Sequence, residues 1–300
     1  MAQRDVRNRI ASVKNIQKIT RAMEMVAAAR LRRAEQRIAA LRPYAAAIRR
    51  MTRQAAEAAG EVPALPLLSE HADERRVALL LVTADRGLAG AFNSQIVRAG
   101  IRAADAYLAE GREVVYYATG RRGASSLAFR KRPPEQAFTG FTERPSYANA
   151  REIAHVLTAA YVDGKVDRVE IFYNGYISPM SQEVRRETLL PLQQATILDA
   201  AGDEAGTAPA TGGVAALVDY EPEPEEILAR LVPEYVEISI FRALLESTAS
   251  ELGARMTAMR NASENAAEMI EDLTLEMNRA RQAEITQEIM EVVAGAEALG

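Results

Sequence analysis

Two glycine pairs have the residue types of a phosphate-binding turn. The first lies in DRGLAGAFN (85–93), directly after the apolar run VALLLVT (77–83), and the second lies in TGRRG (119–123). Glycine lets backbone N–H groups approach an anion closely. Neither pair has the GxGxxG or GxxxxGK[ST] spacing of a nucleotide-binding loop, and no lysine follows the first pair to reach a terminal phosphate. The sequence therefore favours structural turns, with a dinucleotide site at 85–93 as the alternative.

Imidazole and carboxylate chemistry has few candidate residues. The two histidines, His71 and His155, lie more than eighty positions apart, and neither has a suitably spaced ligand nearby. The adjacent acids Glu271 and Asp272 and the acidic run 221–226 are typical of solvated surfaces. The chain has no cysteine, which excludes disulfides, thiol catalysis and thiolate metal sites. We therefore expect no catalytic residue, no metal ligand and no cofactor.

The middle of the chain alternates short β-branched runs with helix-like stretches. This alternation predicts an α/β domain with a mostly parallel sheet over 75–220. Within it, the small, polar, Gly/Pro-punctuated segment 199–213 predicts a flexible insertion. The predicted strands are 77–83, 113–119 and 167–174, and the predicted helices are 94–110 and 149–162.

The two ends of the chain have the pattern of long helices, which we assign to 1–59 and 225–300. Neither 1–42 nor 254–294 contains glycine or proline. Pro43 is expected to kink the first helix or to remove one hydrogen bond. Apolar residues recur at heptad-like spacings of three and four, which predicts a narrow seam. The predicted seam comprises Val6, Ile10, Val13, Ile16, Ile19, Met23 and Val26, and in the second helix Leu252, Met256, Met259, Ala262, Ala266, Met269, Leu273, Met277 and Ala280.

The charges of the two ends are opposite. Residues 1–53 hold 14 basic and 3 acidic residues, a net charge of +11, whereas residues 221–300 hold 6 basic and 17 acidic residues, a net charge of −11. This complementarity predicts an antiparallel intrachain coiled coil. A basic helix is also compatible with a coiled-coil adaptor that binds nucleic acid, although Tyr44 is the only aromatic residue before Phe92. No apolar run is long enough to span a bilayer, so membrane association requires a partner.

Four segments closely resemble the γ-subunit family of F-type ATP synthases, in the family's order and spacing. They are RIASVKNIQKITRAMEMVAAARL (9–31), TADRGLAGAFN (83–93), YNGYISPMSQ (173–182) and the C-terminal block 246–298, which includes ITQEIMEVVAGAEA. The resemblance implies an α/β fold in which a long antiparallel coiled coil of the N- and C-terminal helices joins a Rossmann-like α/β domain. It implies no catalytic role for this chain, since the family's nucleotide sites belong to the α and β subunits.

The resemblance also implies a function and partners. The family member is the central rotor, which couples rotation of a membrane ring of c subunits to conformational cycling of the catalytic β subunits. The implied partners are the α and β subunits, the ε subunit and the c-ring, without nucleic acid. The implied location is peripheral, on the cytoplasmic face of a bacterial inner membrane.

The resemblance carries over to individual residues of the two helices. Met23 matches a position near a moving arm of a β subunit, and Arg281 and Gln282 match a pair that hydrogen-bonds a β-subunit loop. Thr286 and Glu288 match neighbouring contact positions. The apolar tip that follows suits a bearing in a hydrophobic sleeve, because it lacks strong hydrogen-bonding groups. Its residues are Ile289, Met290, Val292 and Val293.

Overall fold

The computed structural model describes residues 3–59, 65–192 and 223–297, with side chains described from Arg4 to Ala294. The insertion predicted at 199–213 lies outside these residues. The chain divides into two compact units. The described residues up to Ala29 and from Arg255 onward form one, here called the terminal unit, and Arg30–Ala254 form the other, here called the central unit.

Two long helices, α1 (Gln3–Ala59) and α5 (Pro224–Glu297), contribute to both units. Pro43 lies inside α1 and the helix continues through it, as the loss of a single backbone donor allows. Pro224 is the first residue of α5, where its missing N–H has no intrahelical partner to lose. Glu225 and Glu226 occupy the first turn of α5, where negative charge is favourable.

A five-stranded sheet forms the centre of the central unit, in the order β3-β2-β1-β4-β5. The first four strands in that order are parallel, and β5 runs antiparallel to β4. The mixed α/β fold predicted from the sequence is thereby confirmed. The strands are β1 (Arg76–Val82), β2 (Glu113–Thr119), β3 (Gln136–Phe138), β4 (Arg168–Ser178) and β5 (Ser181–Leu190). The connecting helices are α2 (Phe92–Ala109), α3 (Arg121–Phe129) and α4 (Tyr147–Val162).

Helices cover both faces of the sheet, which explains why β1 is an unbroken apolar run. Leu79 and Leu81 face α2 and α3, where they pack with Ile96 and Leu127. The alternate residues Ala78, Leu80 and Val82 face α4 and α5, where they share a core with Leu157 and Leu244.

The sequence missed α3, β3 and β5. Strand β5 is polar and charged, unlike the apolar runs that predicted the other strands, because it lies at an edge of the sheet. Its charges are paired: Arg186 Nη2 lies 2.9 Å from the buried Glu170, and Glu187 accepts a 2.6 Å hydrogen bond from Arg242 of α5.

The two long helices run antiparallel in each unit. In the central unit, Leu31 and Ala34 of α1 pack on Ala249 and Leu252 of α5. Further along α1, Ala45 and Ile48 pack on Leu231 and Ile238. In the terminal unit, Val6, Ile10 and Val13 pack against Ala266 and Leu273. The predicted antiparallel pairing of the N- and C-terminal helices is confirmed.

Candidate functional site: an exposed apolar surface on the terminal helices

The seam of α1 in the terminal unit contains small and polar residues. It begins with Val6, Ile10 and Val13, as predicted, but continues through residues 17, 20, 24 and 27. Thr20 is 8% exposed, and its hydroxyl donates to the carbonyl of Ile16 at 3.1 Å, so the helix satisfies its own buried polar group. Such a seam buries little apolar surface, because its central positions carry short or polar side chains.

Four large apolar side chains of α1 form a second stripe beside this seam. Ile16, Ile19 and Val26 are 53%, 59% and 52% exposed, and Met23 is half-buried. Their spacing of three, four and three places them on one helical face, about 100° around the axis from the seam. The prediction that Ile16, Ile19 and Val26 belong to the seam is therefore wrong. Both stripes satisfy helical periodicity, and the larger, more apolar one faces outward.

On α5, too, the face that packs against α1 differs from the face that the sequence predicts. Met269, which the periodicity places in the seam, is 47% exposed, and its neighbour Ile270 packs against the α1 core instead. Leu275 is also exposed. These outward apolar side chains give α5 a surface of the same kind as the α1 stripe.

The last described part of α5 is exposed on every face. Each described side chain from Arg281 to Ala294 is solvent-accessible, including Ile289, Met290, Val292 and Val293. Val292 is 72% exposed. Large apolar residues at consecutive positions spread over a wider arc of the helix than one partner helix covers, so this tip keeps an exposed apolar surface.

The remaining predicted contact residues lie on this exposed stretch. Arg281 and Glu288 are two turns apart on one face, and Gln282 and Thr286 lie on the adjacent face. The Thr286 hydroxyl donates to the Gln282 carbonyl at 2.8 Å within the helix. Among the described residues, Arg281 and Glu288 make no side-chain hydrogen bond or ion pair. Their charged groups are therefore available to a partner.

Among the described residues of the terminal unit, the basic side chains of α1 do not form ion pairs with the acidic side chains of α5. One ion pair between its helices joins Glu24 of α1 to Arg260 of α5 at 3.0 Å, with signs opposite to those of the two segments. The six basic side chains of α1 in this unit are exposed and have no acidic partner within 4.0 Å among the described residues. They are Arg4, Arg7, Arg9, Lys14, Lys18 and Arg21.

The glycine loop after β1 is held by its own polar groups. Asp85 accepts hydrogen bonds from the backbone of Gly140, Thr142 and Arg121 and from the Thr142 hydroxyl, at 2.9 to 3.2 Å. Burial raises the pKa of this carboxyl, but the hydrogen bonds outweigh it and hold the net pKa below the usual range. Asn93 in turn accepts from the Ala84 N–H at 2.8 Å.

Helix α5 covers the place where a Rossmann fold binds its ligand. That place lies beyond the carboxyl ends of the strands where the sheet order reverses, here β1 and β4. Ala254 packs there on Ala84, Ala89 and Phe92. The contact is close, since a Cβ on the adjacent Gly253 would lie 2.8 Å from the Pro179 carbonyl. This packing supports the structural interpretation of the loop over the dinucleotide alternative.

The two histidines lie in unrelated surroundings. His71 Nδ1 is 2.8 Å from Asp167, and the ring stacks on Tyr161 at 4.5 Å between centroids. His155 lies on α4 in an open groove of about 800 Å³ that Pro233 and Glu237 of α5 also line. No group of three His, Cys, Asp or Glu residues in the described part of the chain is placed to hold a metal ion. None of the described helices is apolar over a stretch long enough to cross a membrane.

Comparisons with known proteins identify the family. Residues 2–299 match the sequence profile of the ATP synthase family. The chain is 41% identical over 296 residues to the ATP synthase gamma chain of Rubrobacter xylanophilus, covering 99% of this chain and 98% of that one. It is 43% identical over 297 residues to the Streptomyces avermitilis gamma chain, covering 98% and 94%. The chain belongs to the ATP synthase gamma-chain family.

Solved structures are similar over most of the chain. A chain of the Tetrahymena thermophila mitochondrial ATP synthase central stalk and c-ring aligns with a TM-score of 0.60 at 27% identity, covering 82% of this chain and 99% of that one. A chain of the Euglena gracilis mitochondrial ATP synthase shares the fold, with a TM-score of 0.65 at 18% identity, covering 99% and 94%. The predicted family membership is confirmed, and the central-stalk role agrees with it.

Proposed function

We propose that this chain is the central rotor of a proton-translocating F-type ATP synthase. In this role it couples rotation of a membrane c-ring to the conformational cycle of catalytic β subunits, for ATP synthesis or hydrolysis, and is itself non-catalytic. The observation that carries the proposal is the apolar surface of the terminal unit. Large apolar side chains face outward there although smaller residues fill the seam.

The exposed apolar tip supports the placement of α5 inside a hexamer of α and β subunits. A surface that turns inside a sleeve must make contact all around without strong directional bonds. Ile289, Met290, Val292 and Val293 suit such a surface, because they are apolar and exposed and spread over about 160° of the helix, a wider arc than a narrow seam. We assign them to the bearing.

The polar residues just before the tip suit contacts with β subunits. Arg281 and Gln282 would hydrogen-bond a β-subunit loop, where a planar guanidinium gives directional contacts that lysine would not. Thr286 and Glu288 would contribute neighbouring contacts. On α1, Met23 would meet a moving arm of a β subunit, together with the exposed Ile16, Ile19 and Val26 of the same face.

The central unit would face the membrane and remain outside it. We assign the c-ring and the ε subunit as its partners and the cytoplasmic face of a bacterial inner membrane as its location, with membrane association only through the complex. A non-catalytic role of this chain is supported by α5, whose Ala254 packs on the loop at the place where such an α/β fold binds its ligand.

The test is assembly and turnover with the cognate α and β subunits. Co-expression is expected to give one copy of this chain in each α/β hexamer, with sustained ATP hydrolysis. Arg281→Ala and removal of residues 289–300 are each expected to reduce that rate several-fold. Ile19→Asp is expected to do the same, because a charge would enter an apolar contact with the hexamer.

The matched control for the α1 stripe is Leu108→Asp. Leu108 is 50% exposed on α2 of the central unit, against 59% for Ile19, so the substitution places the same charge on a similarly exposed apolar side chain. It is expected to leave hydrolysis unchanged. A chain that does not join the hexamer, or equal effects of Ile19→Asp and Leu108→Asp, would contradict the proposal. Micromolar binding of ATP or NAD by the isolated chain would favour the dinucleotide alternative.

A further inference from the structure

Polar contacts hold the first turns of α1 in the central unit from two directions. On one side, Arg30 donates a 2.9 Å hydrogen bond to Glu143, and Arg37 donates to the carbonyl of Pro145. On the other side, Glu35 accepts a hydrogen bond from the hydroxyl of Tyr176 in β4. We call these six residues, Arg30, Glu35, Arg37, Glu143, Pro145 and Tyr176, the clamp.

The helical positions of the three α1 residues explain the two directions. At about 100° per residue, Arg30 and Arg37 lie within about 20° of one another, whereas Glu35 lies about 140° from Arg30. The apolar seam lies between these directions, where Leu31 and Ala34 pack on Ala249 and Leu252. Each edge of the seam therefore carries its own polar link to the α/β part of the unit.

The loop that contains Glu143 and Pro145, the partners of Arg30 and Arg37, is hydrogen-bonded to the loop after β1 and to α5. Gly140 and Thr142 donate to Asp85, which follows β1, and the Thr142 carbonyl accepts a 3.0 Å hydrogen bond from Thr248 of α5. Arg86 Nε also lies 2.8 Å from the second oxygen of Glu143, as an ion pair. A force on α1 at this loop is thus passed to the sheet and to α5.

The two kinds of contact resist different motions. Apolar packing is non-directional, so it opposes separation of the helix from its neighbours more than sliding or turning. Hydrogen bonds depend on angle and distance, so they oppose sliding. Arg30 and Glu143 are partly exposed, at 47% and 30% for their side chains, and such a pair adds about 0–1 kcal/mol to stability. The clamp is consequently better suited to stiffness than to stability.

We infer that the clamp transmits torque between the sheet and α1, as the positioning contact that keeps the helix from turning relative to the α/β part of the central unit. The inference rests on the proposed rotor function. It assigns Glu143 and Tyr176, which lie far along the chain from the predicted partner contacts, to mechanical coupling.

Torsional stiffness of the assembled complex tests the inference. Because the chain has no cysteine, Ser125→Cys on the exposed face of α3 gives a single attachment point for a bead. The hexamer is fixed to a surface and stalled, and the angular variance of the bead is recorded. The variance is expected to rise roughly twofold in the double variant Glu143→Ala/Tyr176→Phe, because the Arg30–Glu143 bond on one edge and the Tyr176–Glu35 bond on the other are both lost. Each single variant is expected to have a smaller effect.

Two controls separate stiffness from stability. Asp73→Asn breaks an exposed ion pair with Arg75 that lies outside the clamp, and is expected to leave the variance unchanged. Glu35→Gln keeps a carbonyl acceptor for Tyr176, so its angular variance is expected to be close to that of the parent chain. Glu35→Ala removes the acceptor and is expected to increase the variance. The unfolding midpoint and the hydrolysis rate without load should stay at parental values in all of them.

The possible failures are distinguishable. If the bead on the parent chain turns with ATP but the double variant has parental variance, the clamp inference is overturned and the rotor function stands. If the bead on the parent chain does not turn, the proposed function fails and the inference fails with it. A rise in variance accompanied by an equal rise with Asp73→Asn would also overturn the inference.

Discussion

The central and terminal units bury their apolar residues to very different degrees. In the central unit, residues 77–81 are fully buried, and helices cover both faces of the sheet. In the terminal unit, the seam includes Thr20 and Ser263, while Ile16, Ile19 and Met269 remain outside it. The first arrangement can stabilise itself, whereas the second leaves apolar surface for another molecule to cover. The difference separates a unit with a closed apolar core from a unit that keeps large apolar side chains exposed.

The largest expected effect is a difference in local stability between the units of the isolated chain. We expect amides in residues 3–29 and 255–294 to exchange with solvent far faster than those in β1, β2 and β4, because few buried contacts oppose local opening of the helices. Native-state hydrogen exchange measures this. In complex with α and β subunits the difference should shrink, and equal protection in the free chain would contradict the comparison.

Truncation of one core side chain should destabilise the central unit strongly. Leu80 is fully buried between β2 and β4, so Leu80→Ala is expected to lower the free energy of unfolding by about 2–5 kcal/mol. The matched variant Leu275→Ala removes the same atoms from a side chain that is 58% exposed. It should change the free energy of unfolding by less than about 0.5 kcal/mol. Denaturant titration measures both, and similar losses would break the comparison.

Asp85→Asn should have an intermediate effect that depends on pH. The folded-state pKa of Asp85 is lowered, so its stabilisation is present above the unfolded pKa and is lost as pH falls through the folded pKa. The variant is expected to cost about 2 kcal/mol between pH 5 and 8, since an amide cannot accept all of these bonds as an ionised carboxylate does. The difference in unfolding free energy between the two proteins should begin to shrink as pH falls below about 4, the usual carboxyl pKa, and should close only below the lowered folded-state pKa of Asp85. A gap that stays constant under acid conditions would contradict the assignment.

The smallest effects should come from the charges of the terminal unit. Lys14→Ala and Lys18→Ala are each expected to change the free energy of unfolding by less than about 0.5 kcal/mol, because these side chains are exposed and have no acidic partner among the described residues. Arg260→Gln, which loses the pair with Glu24, should cost up to about 1 kcal/mol. Thermal unfolding at low and high salt measures both, and a larger loss from Lys14→Ala would restore a role for direct charge pairing.

Much of the central fold follows from local sequence patterns. The β-branched runs predict β1 and β2 to within a residue, because strands buried on both faces have no polar positions. Strand β5 could not be predicted in this way, because it has no apolar run. Its Arg185, Arg186 and Glu187 pair with charged residues of β4 and α5 that come close only in the folded chain. The short helix α3 contains only two buried residues, Gly123 and Leu127, and so has almost no periodic signal.

The surface of the terminal unit could be predicted only in part. The pattern shows that Val6, Ile10 and Val13 face α5, but two overlapping stripes follow them with the same spacing. Apolarity alone selects Ile16 and Ile19 for the seam, whereas close packing of the helices selects the smaller Gln17 and Thr20. Which stripe faces inward depends on the partner helix, which lies more than two hundred residues away in sequence.

This separation in sequence has a consequence for synthesis on the ribosome. Residues up to Ala29 are made first, but their partners begin only at Arg255. At about 5–20 residues per second, the intervening 225 or so residues take roughly 10 to 45 s to translate. Ile16, Ile19 and the seam residues are exposed together during that interval. The apolar face of the N-terminal segment therefore has no α5 to pack against until the last part of the chain emerges.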